Sequence, residues 1–94
     1  MKYTLEYQHV VVTKDISKLT KIWKEKIKST IENKLLTEPE LYGKPLRRSL
    51  RGYRKLRVSD YRVIFKIEHT TVKIFAIGHR STIYTLFEKR ALAR

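Results

Sequence analysis

The sequence of residues 53–65 is YRKLRVSDYRVIF, and it predicts the β-hairpin around which the rest of the chain is arranged. Segments rich in β-branched and aromatic side chains flank Ser59-Asp60, a connection short enough for a two-residue turn. With that turn, five cross-strand pairs follow: Val58 with Tyr61, Arg57 with Arg62, Leu56 with Val63, Lys55 with Ile64, and Arg54 with Phe65. Because cross-strand partners point to the same side of a sheet, these pairs predict which side chains share a face.

The two faces of this predicted hairpin differ in character. One face is apolar and should belong to the core: it carries Leu56, Val58, Tyr61, Val63 and Phe65. The other face is basic: it carries Lys55, Arg57, Arg62 and Lys66, with Tyr53 beside them. Like charges directly opposite each other, as Arg57 and Arg62 would be, destabilise a strand pair. The pairing is expected if an anion lies between the two guanidinium groups, which bind phosphate well. The alternative is two long side chains that splay apart into water.

Elements on the N-terminal side of the hairpin begin an α+β pattern. Alternation of apolar and polar side chains over residues 2–8 predicts a first strand. Residues 10–12 either extend this strand or form an apolar entry to the first helix. The apolar stripe from Asp15 to Leu36 has helical spacing. We interpret it as a short helix capped by Asp15 and a long helix capped by Thr20, although one continuous helix would show the same stripe.

Elements on the C-terminal side complete the pattern. Residues 39–45 are interpreted as a loop, residues 72–77 as a strand, and residues 82–92 as a final helix capped by Ser81. The predicted order is β-α-α-β-β-β-α. This order predicts a single small α+β domain over residues 1–94, with a mostly antiparallel four-stranded sheet, two N-terminal helices and a C-terminal helix.

The charge of the chain is large and unevenly distributed. The 94 residues carry a formal net charge of +13 at pH 7. Residues 44–66 hold nine Lys and Arg residues against Asp60 alone, a net charge of +8 in the segment that contains the predicted hairpin. This concentration is typical of a surface that binds a polyanion, whereas charge that only maintained solubility would be more diffuse.

Several classes of site find no support in the sequence. There is no cysteine, no apolar run near the roughly 18 residues that span a bilayer, and no signal-peptide core at the N-terminus. We therefore expect a cytoplasmic protein that does not bind membranes. There is also no glycine-rich phosphate loop, no Cys/His metal spacing and no carboxylate cluster, so we expect no metal and no cofactor.

A second cluster of candidate residues follows the last predicted strand. Gly78 would let the backbone turn, and Arg80 and Tyr84 lie near the start of the final helix, where backbone N–H groups favour an anion. The simpler interpretations are a solvated charge for Arg80 and a core aromatic for Tyr84. His79 is a candidate general acid, although a lone histidine is more often a structural or surface residue.

The segments GKPL (43–46), LRGY (50–53), KLRV (55–58), DYRVIF (60–65) and GHR (78–80), together with Tyr84, resemble the RelE/ParE toxin superfamily. The likeness covers nearly the whole chain, including the order of elements, and is strongest from Gly43 to Tyr84. It implies a curved antiparallel sheet, two N-terminal helices and a mobile C-terminal helix. RelE-type members cut mRNA in the ribosomal A site without metal, through attack of the ribose 2′-OH on the adjacent phosphate.

The resemblance also implies the site residues. Its catalytic positions fall on Lys55, Arg57, Arg62, Arg80 and Tyr84. Lys55 would act as the base, Arg62 and Arg80 would hold the phosphate and stabilise its developing charge, and Tyr84 would stack on or orient a base. The further residues expected to contact RNA phosphates are Lys44, Arg47, Arg48, Arg51, Tyr53, Lys66 and His79. The chain departs from the family pattern because Arg57 replaces a second lysine, Ser59 replaces a common glycine, and no glutamate base is present in this loop.

The partners and the reaction class follow from the same resemblance. It implies an acidic antitoxin that folds on binding, mRNA on the ribosome as the substrate, and no small-molecule cofactor. The favoured hypothesis is therefore the toxin of a type II toxin–antitoxin system that acts as an endoribonuclease. Two non-enzymatic alternatives stay open: a ParE-like toxin that binds gyrase, and a basic RNA-binding regulator. The retained basic and aromatic set favours the nuclease.

Overall fold

The computed structural model describes residues 2–46 and 52–92 of the chain. Strand β1 (Thr4–Tyr7) leads into a π-helical turn (Val11–Asp15) and a 3₁₀ turn (Ile16–Lys18), then helix α1 (Lys21–Leu35) and the short helix α2 (Pro39–Tyr42). Strands β2 (Lys44–Pro45), β3 (Arg54–Val58), β4 (Tyr61–Glu68) and β5 (Thr71–His79) precede helix α3 (Ile83–Leu92). This is the predicted α+β architecture. No helix in these described ranges is long and apolar enough to cross a membrane.

The strands form one five-stranded mixed sheet in the order β1-β5-β4-β3-β2. The pair β1 and β5 is parallel, and the other neighbours are antiparallel. The prediction of four strands was wrong by one, because Lys44 and Pro45, expected in a loop, pair with Lys55 and Arg54. Two residues are too few to show an alternating pattern, and proline is tolerated at a sheet edge, where its missing N–H is not needed.

The β3–β4 hairpin has the predicted register. Its two-residue turn leaves five residue pairs, from Val58 opposite Tyr61 to Arg54 opposite Phe65. Ser59 adopts a φ of 56°, so it supplies the left-handed conformation that glycine usually provides at such a turn. The apolar face of the hairpin is buried against α1 in the main core, whose largest members include Phe65, Leu56, Ile31 and Leu35.

The basic face of the sheet is also partly covered, by α3. Ile83 and Phe87 of α3 are buried against Ile64 and Ala76 in a second, smaller core. The small residues of β5 make room for the helix, because a Cβ on Gly78 would lie 3.2 Å from Ile83 Cδ1. The hairpin face that was predicted as basic is therefore basic at one end and apolar beneath the C-terminal helix.

Of the three predicted helix caps, one makes the expected capping hydrogen bond. Thr20 caps α1 as predicted, with its hydroxyl accepting a hydrogen bond from the Trp23 N–H at 3.4 Å. Asp15 occupies the N-cap position of the 3₁₀ turn as predicted, but its side chain makes no capping hydrogen bond. The residue is 5% exposed, because its carboxylate binds groups of β5 and α3 instead. Ser81 is not in the capping position, since α3 begins at Ile83 and the Ser81 hydroxyl is hydrogen-bonded to His79 Nδ1.

Gly43 lies between α2 and β2 in a place where no side chain fits. A Cβ at this position would collide with the aromatic ring of Phe65, which is fully buried. We expect Gly43→Ala to lower the free energy of unfolding by about 1–3 kcal/mol, the usual cost of overpacking a core. The measurement is the urea midpoint. Gly78→Ala is the comparison variant. It should lower the free energy of unfolding less, because the neighbouring atom that its Cβ approaches is the flexible end of Ile83.

Candidate anion-binding site

Two like-charged pairs lie side by side on the basic face of the sheet. Lys44 of β2 is opposite Lys55 of β3, and Arg57 of β3 is opposite Arg62 of β4. Lys55 and Arg57 are two residues apart on one strand, so their side chains point to the same face. The sheet register therefore brings four cations together within two adjacent rows.

These four cations line a shallow cleft of about 170 Å³, and the ring of Tyr42 completes its wall. None of the described residues that line the cleft carries a carboxylate. None of the ion pairs among residues 2–46 and 52–92 involves Lys44, Lys55, Arg57 or Arg62. Positive charge that is gathered in a concave surface without internal neutralisation attracts anions. The cleft is suited to phosphate, whose oxygens accept hydrogen bonds from guanidinium and ammonium groups.

Arg62 is held in place by its own turn. Its Nη1 donates hydrogen bonds of 2.8 Å to the carbonyl oxygens of Ser59 and Tyr61. A guanidinium group carries five N–H donors, so this anchoring leaves others for a ligand. The two carbonyl contacts fix the orientation of a group that would otherwise be free to swing into water.

Helix α3 brings an aromatic ring to the edge of the cleft. The Lys55 Nζ lies 5.5 Å from the centroid of the Tyr84 ring, within range of a cation–π interaction. Both side chains are half-buried. The fold thus brings these two candidate residues together, although they are distant in sequence.

Tyr53 and Lys66 share the basic face but lie farther along the sheet. Lys66 Nζ is 5.4 Å from the Tyr53 ring and 3.7 Å from a carboxylate oxygen of Glu68. A hydrogen bond from Lys73 holds the pKa of Glu68 below its ordinary value, so this carboxylate is charged at neutral pH. Lys66 is therefore partly neutralised, and Tyr53 also packs against Phe75 and Phe87 in the second core.

The candidate residues at the end of β5 and just after it lie in different places relative to the cleft. Arg80 is exposed at the end of the strand, and its Nε lies 3.7 Å from Asp60 Oδ1 beside the hairpin turn. His79 pairs with Tyr61, so it lies on the opposite face of the sheet from Arg62, with its ring edge-on to that of Tyr61. The structure does not bring His79 into the cleft. The predicted contacts Arg47, Arg48 and Arg51 lie outside the described residues.

One residue of the cleft was not among the candidates. Tyr42 ends α2, and its ring accepts a cation–π contact from Lys34 at 5.1 Å. The sequence offered a weak signal, an aromatic residue directly before Gly43-Lys44. That signal has meaning only once β2 is known to pair with β3, because this pairing moves Tyr42 next to the basic strands.

The repulsion between Arg57 and Arg62 gives a direct test of anion binding. Arg57→Gln should raise the free energy of unfolding at low salt by about 0.2–1 kcal/mol, because it removes a like-charged cross-strand pair. Inorganic phosphate should stabilise the wild type more than this variant, since ligands that bind only the folded state raise its stability. Thermal unfolding with and without phosphate measures both effects. Equal stabilisation of the two proteins would argue against a phosphate site at Arg57.

Comparison with known families places this site in context. A family model described as the ParE toxin of the type II toxin–antitoxin system parDE matches residues 8–84, which include the hairpin, the described cleft residues and Tyr84. The chain is 34% identical over 84 residues to the toxin RelE of Mycobacterium tuberculosis, covering 83% of this chain and 87% of that toxin. It is 48% identical over 52 residues to the toxin RelG of the same organism, and this match spans 53% of the chain but only 60% of RelG.

The fold is similar to that of a solved relative. A chain in the RelBE2 toxin–antitoxin complex of Mycobacterium tuberculosis matches with a TM-score of 0.79 and 33% sequence identity. The match covers 85% of this chain and 100% of that one. Sequence and three-dimensional structure therefore lead to the same group of relatives.

Proposed function

Because the chain belongs to the RelE/ParE superfamily of type II toxins, we propose that it inhibits translation by cutting mRNA on the ribosome. The observation that supports this proposal best is the cleft lined by Lys44, Lys55, Arg57 and Arg62, with Tyr84 at its edge. A surface that only bound RNA would need positive charge alone. A cleft that also contains an amine near an aromatic ring has the parts needed to hold a nucleotide and move a proton.

The proposed reaction uses the RNA's own nucleophile. Lys55, in its neutral form, accepts the proton of a ribose 2′-OH, whose oxygen then attacks the adjacent phosphorus. The bond from phosphorus to the 5′ oxygen breaks, and that oxygen takes up a proton. The products are a 2′,3′-cyclic phosphate and a 5′-OH end. No activated water is required, and none of the described residues that line the cleft is a carboxylate that would bind Mg²⁺.

The cationic residues have separate roles in this scheme. Arg62, oriented by the carbonyls of Ser59 and Tyr61, holds the phosphate and stabilises the charge that develops on its oxygens. Arg57 binds the same phosphate from the opposite strand. Arg80 joins once the substrate phosphate competes with Asp60 for its guanidinium group. Tyr84 stacks on a base of the bound mRNA and orients it.

The ends of the products test the proposal. Purified protein should be incubated with ribosomes carrying a defined mRNA, and the cleaved fragments should be mapped. We expect cleavage that persists when free divalent metal is chelated and the ribosomes are kept intact, and that leaves a 2′,3′-cyclic phosphate or its opened form. A 5′-phosphate end with strict Mg²⁺ dependence would overturn the mechanism. Growth arrest without any cleavage would favour a non-enzymatic toxin that binds gyrase.

The same basic face defines the proposed regulator. The related RelBE2 toxin was solved in complex with its antitoxin. We propose that an acidic antitoxin segment binds this chain at the cleft, folds there and covers it. The toxin, a single domain over residues 1–94, would then act in the cytoplasm, where ribosomes and the antitoxin are both found.

Salt should slow the encounter with this antitoxin. The net charge of +8 over residues 44–66 attracts an acidic partner at long range, and dissolved ions screen that attraction. We expect the association rate to fall with rising ionic strength and Arg57→Gln to weaken this dependence. Stopped-flow mixing at several salt concentrations measures it. Lys21→Gln, which removes one charge from α1, is the matched control, and an effect equal to that of Arg57→Gln would mean that the cleft is not the steering surface.

A further inference from the structure

A buried ion pair links the two ends of the fold. Arg90, in the last turn of α3, donates hydrogen bonds from Nη2 to Asp15 Oδ1 at 2.6 Å and from Nη1 to Asp15 Oδ2 at 2.8 Å. The Asp15 side chain is 3% exposed and that of Arg90 is 18% exposed. This two-pronged geometry fixes direction as well as distance, which a single contact would not do.

The ion pair occupies a place where the sheet lacks a neighbour. Strand β1 pairs with β5 only as far as Ile74, and β5 then bulges at Phe75. Beyond that point, Arg90 Nη1 donates to the Phe75 carbonyl at 3.1 Å, and the Ile77 N–H donates to Asp15 Oδ2 at 2.9 Å. Asp15 and Arg90 thus satisfy backbone groups that a longer β1 would otherwise pair, and they tie α3 to this edge of the sheet.

The position of Arg90 on the helix explains what this tie achieves. Ile83 and Phe87, the buried apolar contacts of α3, lie one helical turn apart and therefore on one line along the helix. Tyr84 and Leu86 pack, partly buried, against the same core on either side of this line. Apolar contacts are not directional, however, so they do not fix the rotation of the helix about its axis. Arg90 continues the same line at the spacing i, i+4, i+7 and is fixed in two directions by Asp15. The ion pair therefore resists rolling.

Rolling matters because Tyr84 lies beside that line, facing Lys55. Side chains of a helix reach about 5–6 Å from its axis, so a roll of about 10° moves the Tyr84 ring by about 1 Å. Displacement of a reacting or orienting group by about 1 Å can cost about 100-fold in rate. The ring now lies 5.5 Å from Lys55 Nζ, a contact that such a roll would change directly.

We infer that Asp15 and Arg90 are positioning residues, which hold α3 so that Tyr84 remains against Lys55 at the cleft. The inference rests on the proposed function of the cleft. Neither residue touches the cleft itself: they act from the other edge of the sheet, through the helix.

The test separates positioning from stability by using two variants. Arg90→Met keeps an unbranched apolar stem but removes the guanidinium group and leaves the Asp15 carboxylate buried without its cationic partner, so the stability of this variant should fall. The double variant Asp15→Asn with Arg90→Met removes both charges, while the amide oxygen of Asn still accepts from the Ile77 N–H. The double variant should therefore be more stable than Arg90→Met, yet it lacks the ion pair. Lys89→Met is the matched control, because Lys89 is an exposed cation in the same helical turn.

Two readouts decide the outcome in the double variant. The first is the NMR shift of the Lys55 side-chain protons, which the Tyr84 ring current moves upfield while the contact exists. The second is the rate of mRNA cleavage on ribosomes at saturating toxin. We expect loss of the upfield shift and a fall in the saturating rate of about 10- to 100-fold, with the half-saturating toxin concentration changed less than about twofold. Lys89→Met should match the wild type in both measurements.

Retention of the upfield shift, or cleavage at the wild-type rate by the folded double variant, would overturn the inference. Because the NMR readout needs no activity, the two proposals fail separately. A wild type that cuts no mRNA refutes the proposed function. In that case an unchanged Lys55 shift in the double variant would still refute the positioning role, and a lost shift would support it.

Discussion

Arg62→Ala is expected to lower the rate of mRNA cleavage by about 10²–10³-fold, the usual cost of removing one pre-oriented donor from a site of developing charge. Arg62 is the cation best prepared for this role, because the carbonyls of Ser59 and Tyr61 already fix its guanidinium group. Expressed without an antitoxin, the variant should no longer arrest growth. Cleavage of ribosome-bound mRNA and growth after induction are the two measurements.

The fold should survive this change, which makes the result interpretable. Arg62 is only half-buried, and its replacement removes the repulsion with Arg57 across the strand pair. The unfolding midpoint should therefore change little, because loss of this repulsion offsets the loss of the two hydrogen bonds from Arg62 to the carbonyls of Ser59 and Tyr61. Lys21→Ala, an exposed lysine on α1, is the control for loss of one positive charge and should remain fully toxic. An Arg62→Ala protein that is folded and still cuts at the wild-type rate would exclude the proposed mechanism.

Lys55→Met is expected to lower cleavage by about 10²–10⁴-fold, the range that a positioned base contributes, and to remove most of its pH dependence. In the wild type the rate should rise with pH, because only the neutral amine accepts a proton. Methionine has no group to titrate, so the rate that remains should change little with pH. Single-turnover rates over a series of pH values, on ribosomes that remain intact, measure both effects.

Lys44→Met provides a control within the same cleft. Lys44 lies directly opposite Lys55 in the sheet, so its replacement removes an equal charge from a neighbouring position. This variant should bind mRNA-loaded ribosomes more weakly but keep the slope of rate against pH. If Lys55→Met keeps the wild-type slope, Lys55 only positions the phosphate, and the proton acceptor must be another group.

The hairpin was predictable because its short turn leaves no freedom in how the two strands pair. A two-residue connection allows one register, and that register sets both the pairing of Arg57 with Arg62 and the face on which Lys55 lies. The burial of Leu56, Val63 and Phe65 followed from the same alternation. The part of the site built on this hairpin was therefore within reach of sequence reasoning, although the chemical role of each residue is still a prediction.

The parts that were missed depend on contacts between distant segments. Tyr42 reaches the cleft only because β2 pairs with β3, and a two-residue strand has no recognisable pattern. Asp15 was interpreted as a helix cap because aspartate is common there. Its actual partner is Arg90, 75 residues away, which looks like an ordinary solvated charge in the sequence. His79 was grouped with Arg80 by adjacency, but His79 pairs with Tyr61 in the sheet and therefore points to the face opposite that of Arg62.

The parallel pairing of β1 with β5 has a consequence for how the protein is made. Thr4 pairs with Thr71, 67 residues later, so β1 has no partner in the sheet until β5 has left the ribosome. The contact of Lys55 with Tyr84 waits for α3, and the Asp15–Arg90 pair forms later still. Contacts between such distant segments form late and slow the folding of a domain. A nascent chain therefore cannot hold Tyr84 against Lys55 in the complete arrangement described above until synthesis has passed Arg90.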